Sequence, residues 1–293
     1  MDSTQPSHGT QPAERAQGLE AAPIVVADRV RQALRARFGE DIPVPDDLPG
    51  LDELARIASH ATHRRWSDRP VDPAWVRVLT ACALSAPSKS DLQQADIVEV
   101  RDPARRQALA ALVPQLPWFD SAPLVLVFCG NGRRFRRLFA RAGQPFTNEH
   151  LDAFFNPAVD AALVLMNFMR AATAAGLVHC PISVLRDRPI EVARILELPQ
   201  HVFPVAGLCV GHPVDARSPV PRLPLAATVH VDRFDDADVD ARVDAYDARR
   251  MAAEARFGRG DAKPWSQAKR VQYAERQRGD WGDFVRGQGF RTD

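Results

Sequence analysis

Residues 181–224 read PISVLRDRPIEVARILELPQHVFPVAGLCVGHPVDARSPVPRLP, which is the most informative part of the sequence. The apolar run over 202–210 is typical of a buried strand, and Gly211-His212-Pro213 ends it. Arg222 follows, held between Pro221 and Pro224. A guanidinium fixed in this way is suited to bind an anion, because its planar fork matches phosphate oxygens. The stretch therefore predicts a buried strand that leads the chain to a fixed cationic point.

The composition is ordinary for a soluble globular protein, with 293 residues, 45% of them hydrophobic and 26% charged. This length allows one large domain or two modest ones. The net charge of +1 gives no support for nucleic acid or an anionic membrane as a partner. The polar residues 1–22 lack the apolar core of a secretion signal and are expected to form a disordered tail. We expect a cytoplasmic protein that does not enter the membrane.

The four cysteines give no sign of a metal or disulfide site. They are widely spaced, form no CxxC pair and lie in apolar surroundings, at positions 82, 129, 180 and 209. The favoured interpretation is four small buried hydrophobic residues in a reducing compartment. Cys180 beside His179 is a weaker candidate for a nucleophile and its base, since sequence neighbours rarely face each other.

Apolar periodicity and turn signals predict an alternation of helices and strands around one sheet. Helices are expected from residue 23, from residue 51, over 72–86 and over 151–175. Strands are expected at 96–100, 123–129, 203–210 and 226–231. From residue 235 onward acids and arginines alternate, which predicts exposed helices that pack on the core or on a partner subunit. The order of elements favours an α+β sandwich with three parts: a tail (1–22), a core domain (23–234) and a C-terminal extension (235–293).

The predicted helix over 151–175 is apolar nearly all round, so it is expected in the protein interior or in a subunit interface. Pro157 either kinks this helix or marks its true start. Asp160 is the one acid in its apolar middle. A buried carboxylate must find partners, and a structural hydrogen bond is favoured over a catalytic role.

Four polar segments are candidates for a binding site. They are SHATHRRWSDRP at 59–70, APSKSDLQQ at 86–94, GLVHCPISVLR at 176–186 and SPVPRLP at 218–224. Taken alone, the composition of the first favours a solvated basic turn, and the second is equally consistent with a simple turn. A later basic segment, PWSQAKR at 264–270, has the alternative interpretation of an exposed helix.

The sequence LPQHVFPVAGLCVGHP, followed by PRLP, closely resembles the FMN-dependent nitroreductase family. The best match is the branch that contains the major oxygen-insensitive nitroreductases and the flavin reductases of luminous bacteria. The resemblance covers about residues 51–290. It implies a nitroreductase-like sandwich with a central mixed or antiparallel sheet, and a homodimer with a swapped C-terminal segment.

The resemblance implies that each FMN lies at the subunit interface. One chain would contribute the residues that match the family's phosphate, ribityl and ring contacts, namely His60, Thr62, Arg64, Ser183 and Arg222. The other chain would contribute a loop that matches in part, namely Pro87, Ser88, Lys89, Asp91 and Gln93. Lys269 and Arg270 would bind the 2′-phosphate of NADPH, with NADH as the alternative donor.

Three positions depart from the family pattern. Ala61 stands where an arginine is usual, Val184 where a glycine is frequent, and Val220 where a lysine near flavin N1 is usual. His63 or Arg65 is a candidate to replace the charge missing at Ala61. We also form the hypothesis that Lys89 supplies, across the dimer interface, the charge missing at Val220.

The implied activity is a ping-pong oxidoreductase in which NAD(P)H reduces FMN and the flavin then reduces a nitroaromatic, a quinone or free flavin. The cofactor carries the chemistry, so no side chain is assigned as a catalytic residue and no metal ligand is expected. Two alternatives stay open at this point. The first is a repurposed flavoenzyme that acts on a dedicated metabolite, and the second is a flavin-free binding or scaffold protein.

Overall fold

A four-stranded antiparallel sheet lies at the centre of the computed structural model, which describes residues 25–256 and 262–293. The strands of this described part are β1 (Ala95–Glu99), β2 (Leu124–Asn131), β3 (Val178–Ile182) and β4 (Val202–Gly211). Their order is β1-β2-β4-β3, and every neighbouring pair is antiparallel. The long apolar strands β2 and β4 occupy the centre, where both faces of the sheet are covered by helices.

The described helices agree with most of the sequence-based expectations. Their bounds are α1 (Val26–Phe38), α2 (Leu51–Ala58), α3 (Pro73–Leu84), α4 (Pro103–Ala111), α5 (Arg133–Arg141), α6 (Asp152–Ala174), α7 (Pro189–Ile195), α8 (Val239–Arg256), α9 (Trp265–Gln272) and α10 (Trp281–Gly287). Helix α3 begins as its Asp-Pro pair predicts, because the Asp72 carboxylate accepts a hydrogen bond from the amide of Ala74 at 2.8 Å.

Two apolar layers hold the helices against the sheet. On one face, helices α3 and α6 pack on alternate residues of β2 and β4, and the Phe128 and Phe168 rings meet edge to face at 5.9 Å. On the other face, Val125 and Cys209 pack with residues of α4 and α7. The predicted α+β class, with helices flanking one sheet, is confirmed, and the sheet is antiparallel rather than mixed.

The strand predicted at 226–231 is wrong. The chain forms a short 3-10 turn over Leu225–Ala227, and Val229 and Val231 are exposed. The amides of Thr228 and Val229 donate to the carbonyl of Leu225, which closes the turn. The segment pairs with neither edge strand of the described sheet, β1 or β3, so its local strand preference is not expressed.

Helix α6 begins at Asp152, so Pro157 lies inside the helix rather than at its start. One side of α6 is buried against the sheet, as expected. The opposite side leaves a stripe of apolar side chains at three- and four-residue spacing exposed in the single chain. These are Phe155, Val159, Leu163 and Met166, with exposures of 58%, 39%, 39% and 48%.

The C-terminal segment packs on the core of the same chain. The Tyr246 hydroxyl on α8 donates to the carbonyl of Pro221 at 3.2 Å. Phe284 and Phe290 at the C-terminal end pack with Phe203 of β4. The division at residue 235 and the exchange of this segment between subunits stay predictions, and the predicted tail over 1–22 lies outside the described residues. Within the described ranges, no helix is long and apolar enough to cross a membrane.

Candidate cofactor site

The first candidate segment runs beside the edge of the sheet. The amide of His63 donates to the carbonyl of His179 on β3 at 3.1 Å, and the amide of Ser67 donates to the carbonyl of His212 at 3.1 Å. Residues 60–67 are therefore held in an extended course between the end of α2 and the end of β4. This course places the first segment close to the strand that precedes Ser183.

Arg37 joins the first and last candidate segments. Its guanidinium donates to the carbonyls of Ala58 at 3.0 Å and Val220 at 3.1 Å, and also to the carbonyl of His60. Its own carbonyl accepts a hydrogen bond from the amide of Arg222 at 2.6 Å. The structure thus brings His60 and Arg222 into one cluster around a residue that the sequence did not single out.

Arg222 presents an unpaired cation at this cluster. Its side chain is exposed, and among the described residues no hydrogen bond or ion pair reaches its guanidinium. The backbone beneath it is fixed, because Pro221 is buried and the guanidinium of Arg249 donates to the carbonyl of Arg222. A fixed backbone with a free guanidinium is an arrangement suited to an anionic ligand.

Two histidines stack beside this cation. The rings of His60 and His179 lie 5.0 Å apart at an angle of 17°. His179 Nε2 lies 3.0 Å from the carbonyl of Met169, while its Nδ1 is buried without a hydrogen-bond partner in the described structure. Burial lowers the pKa of His179 to about 4, and burial together with the charges of Arg37 and Arg222 lowers the pKa of His60. Both rings are therefore neutral at pH 7.

Arg37, His60 and His179 line a cavity of about 200 Å³ between α2 and α6. The rest of its wall combines apolar side chains, such as Met166 and Met169, with a few charged groups, such as Glu53. His179, whose buried Nδ1 has no hydrogen-bond partner in the described structure, is thus one of the residues that line this cavity.

Arg64 contacts a different set of residues from this cluster. The Arg64 guanidinium lies 6.0 Å from the ring of Trp118, and its charge partly offsets the burial that raises the pKa of the Cys180 thiol. Because His179 and Cys180 are successive strand residues, Arg64 and His60 approach opposite faces of β3. The Thr62 hydroxyl makes no hydrogen bond within the described chain and is half-buried.

The two candidates for replacing the charge missing at Ala61 are engaged elsewhere. His63 and Arg65 lie 3.6 Å and 3.9 Å from the carboxylate of Asp215, which also pairs with Arg217 at 2.8 Å. Arg37 is instead the basic residue whose charge acts on both His60 and Arg222.

The loop over 87–94 has a tightly specified shape. The Ser88 hydroxyl accepts a hydrogen bond from the amide of Gln93 at 2.7 Å, and Gln93 Nε2 donates to Asp91 at 3.1 Å. Asp91 and Gln93 both have positive φ, at 57° and 50°, which non-glycine residues rarely adopt. Lys89 Nζ lies 3.8 Å from Asp152. Backbone strain of this kind persists only where surrounding contacts enforce it and is common at ligand sites.

This loop does not meet the His60 cluster within one chain. Pro87, Ser88, Asp91 and Gln93 line a separate open cleft of about 1030 Å³, which shares no lining residue with the cavity beside His60. The loop and the His60 cluster therefore line different cavities of the described chain.

Ser183 lies where the C-terminal segment returns to the sheet. Its hydroxyl accepts a hydrogen bond from Arg278 Nη2 at 3.3 Å, and Arg278 Nε donates to Asp187 at 2.5 Å. Ser183 has a φ of −101° and Val184 has no positive φ, so the turn forms without the left-handed residue that a glycine would permit. Lys269 and Arg270 are exposed on α9, where Lys269 Nζ donates to Gln272. Arg278, rather than these two, is the basic residue beside Ser183.

The sequence does not identify Arg37 and Arg278 as site residues, because their roles depend on contacts between distant parts of the chain. Nothing in the helical pattern around Arg37 distinguishes it from the exposed Arg35. A buried arginine on a surface helix becomes visible only when the carbonyls around it are known.

The donors present fit a flavin mononucleotide. An unpaired guanidinium suits the phosphate, and the unpartnered Nδ1 of His179 and the free Thr62 hydroxyl suit the ribityl hydroxyls. Among the described residues no group of three His, Cys, Asp or Glu side chains could hold a metal ion.

Comparison with known proteins agrees with this arrangement. The model of the nitroreductase family matches residues 57–212, and the model of the family's C-terminal domain matches residues 221–293. The chain belongs to the nitroreductase family.

Among its relatives is the FMN reductase [NAD(P)H] of Bacillus subtilis, 30% identical over 245 residues, which cover 82% of this chain and 98% of that protein. The oxygen-insensitive NADPH nitroreductase of Salmonella typhimurium is 31% identical over 62% of this chain and 74% of that protein. The structure of NfrA2 from B. megaterium superposes with a TM-score of 0.79 at 31% identity, over 83% of this chain and 99% of that one.

Proposed function

We propose that this protein is an NAD(P)H-dependent FMN oxidoreductase of the nitroreductase type. The observation that carries the proposal is the unpaired guanidinium of Arg222. The backbone of Arg222 is held close to His60 through Arg37, at the position where the family's phosphate-binding motif matches this chain. The relatives named as FMN reductases and NADPH nitroreductases support the same assignment.

Each chain would hold FMN through its own His60, Thr62, Arg64, Ser183 and Arg222. When bound, the flavin would take a hydride from NAD(P)H and pass the electrons to a nitroaromatic, quinone or flavin acceptor. Arg222 would bind the phosphate as a charge-assisted donor, since no other group neutralises it in the described chain. His60 stays neutral at pH 7 because its pKa is lowered, so it can accept as well as donate a hydrogen bond.

The loop over 87–94, which lines a cleft separate from the cavity beside His60, supports a homodimer in which each FMN lies between two chains. The partner would contribute Pro87, Ser88, Lys89, Asp91 and Gln93. The exposed stripe of α6 at Phe155, Val159, Leu163 and Met166 is apolar and continuous, as a subunit interface requires. Exchange of the C-terminal segment between the subunits stays a separate prediction, since in the described structure this segment packs on its own chain.

The C-terminal segment would bind the nicotinamide donor. Lys269 and Arg270 on α9 provide exposed positive charge for the 2′-phosphate of NADPH, with NADH as the alternative donor. We add Arg278, because its guanidinium already reaches the turn at Ser183. All four cysteines are free, which supports a location in the reducing cytoplasm.

Anaerobic mixing tests this activity. Protein loaded with FMN should lose its blue absorbance when NADPH or NADH is added, and a nitroaromatic or quinone should restore it. Free FMN at the same concentration is the control and should react far more slowly. Loaded protein whose flavin resists both donors would contradict the activity and favour a repurposed flavoenzyme with another substrate.

A further inference from the structure

Helix α1 lies ahead of the residues that the family models match, which begin at position 57. It packs on α2 through a small apolar cluster that includes Ala27, Val30 and Ala55. In its last turn, Arg37 is only 8% exposed and has no carboxylate partner among the described residues. A buried guanidinium is costly unless hydrogen bonds or a counter-charge stabilise it.

The hydrogen bonds of Arg37 go to both ends of the proposed phosphate subsite. Three N–H groups donate to the carbonyls of Ala58, His60 and Val220. A guanidinium carries five N–H groups, so two remain available. Its carbonyl also receives the amide of Arg222, which fixes the two arginines relative to each other.

The charges around this pair are not balanced within the described chain. Burial and the nearby charge of Arg222 lower the pKa of Arg37. Of the neighbouring carboxylates, Glu40 accepts the amide of Leu225, and Glu53 pairs with Arg170 at 3.0 Å. A phosphate bound beside Arg222 would therefore relieve the repulsion between two cations, and its negative charge would be stabilised by both.

We infer that Arg37, contributed by the additional helix α1, is a positioning residue of the phosphate subsite and supplies the positive charge that Ala61 does not provide. This inference rests on the proposed function. It assigns helix α1 a role in flavin binding. Helix α1 would contribute the buried cation of the subsite, and Arg222 would contribute the exposed cation that contacts the phosphate.

Comparison of FMN with riboflavin tests the inference, because the two differ only in the phosphate. Dissociation constants are measured by flavin fluorescence for the wild type, Arg37→Gln, Arg37→Lys and Arg35→Gln. Arg35 is the matched control, since it lies on the same helix but is exposed and paired with Asp41.

We expect Arg37→Gln to weaken FMN binding about tenfold or more, the scale of one charge-assisted contact, and riboflavin binding much less. Arg37→Lys should keep most of the preference for FMN over riboflavin, while both affinities fall because the contacts to three carbonyls are lost. Arg35→Gln should match the wild type. A steeper salt dependence of FMN binding in the wild type than in Arg37→Gln should accompany these results.

Equal losses for FMN and riboflavin in Arg37→Gln, or no loss for either, would overturn the inference and leave the proposed function standing. A wild type that binds neither flavin would overturn both. If Arg37→Gln fails to fold, Arg37→Lys is used to test the inference. Unchanged affinity for both flavins in that variant would refute a positioning role for Arg37.

Discussion

The carboxylate of Asp160, in the buried middle of α6, accepts a hydrogen bond from the amide of Gln94 at 3.0 Å. Its second oxygen accepts the amide of Lys89 at 3.2 Å. One acid therefore fixes both ends of the loop that carries Ser88, Asp91 and Gln93. This anchor helps to maintain the positive φ angles at Ser90, Asp91 and Gln93.

Replacement of Asp160 by asparagine should destabilise the protein and loosen this loop. The amide nitrogen of the new side chain would face a backbone N–H, so one buried charge-assisted hydrogen bond is lost and a donor is left unpaired. We expect a loss of about 2–3 kcal/mol in the free energy of unfolding, measured with urea. Asp238→Asn, at an exposed position, is the control and should change stability little. Equal stability of Asp160→Asn and the wild type would show that the anchor is unimportant.

The apolar stripe of α6 should be the centre of the subunit interface. A charge introduced there, as in Leu163→Arg, would be buried against apolar surface on association, so we expect the variant to elute as a monomer. Ile190→Arg is the control, because Ile190 is 63% exposed on α7, away from the stripe. Light scattering coupled to size exclusion gives the mass of each. A wild type that is itself monomeric, or a dimeric Leu163→Arg, would refute this interface.

Lys89 should make the flavin easier to reduce, in place of the lysine absent at position 220. Removal of this cation in Lys89→Ala should shift the reduction potential of bound FMN to a more negative value, by about 30 mV if the charge contributes about 1.4 kcal/mol. The pairing with Asp152 at 3.8 Å reduces the expected effect. Dye equilibration measures the potential, with the exposed Lys263→Ala as control. Unchanged potential and FMN affinity would end this hypothesis.

His179 should make the protein less stable in mild acid. Its folded-state pKa of about 4 lies below the usual 6.5, so the unfolded state binds more protons as the pH falls. Stability should be fully present above about pH 6.5 and fall by about 3 kcal/mol as the pH is lowered to 4. His179→Gln, which can still donate to the carbonyl of Met169, should lack this part of the slope. The exposed His150→Gln is the control, and identical slopes in wild type and His179→Gln would contradict the assignment.

The sequence predicts those parts of the fold that depend on continuous patterns. Strand β4 and helix α6 follow from long apolar runs, and a partner for Asp160 follows from the cost of an unpaired buried acid. The segment at 226–231 shows the limit of this reasoning. Its residues alternate as a strand would, but a strand also needs a neighbouring strand to pair with, and only the complete fold determines which segments lie beside an edge of the sheet.

The candidate site was predictable where it coincides with a family motif, as at His60 and Arg222. It was not predictable where one residue acts through distant backbone groups. Arg37 reaches the carbonyl of Val220, a residue 183 positions further along the chain, and Arg278 reaches Ser183 across 95 positions. Such contacts leave no local trace in composition or spacing.

The proposed binding of FMN is tested most directly by the absorption spectrum of the purified protein before and after excess FMN is added and removed by desalting. We expect flavin bands at one FMN per chain for the wild type, and a large loss of retained flavin in Arg222→Gln. A wild type that stays colourless after reconstitution would contradict the proposed function. It would indicate that the changes at Ala61, Val184 and Val220 have abolished flavin binding.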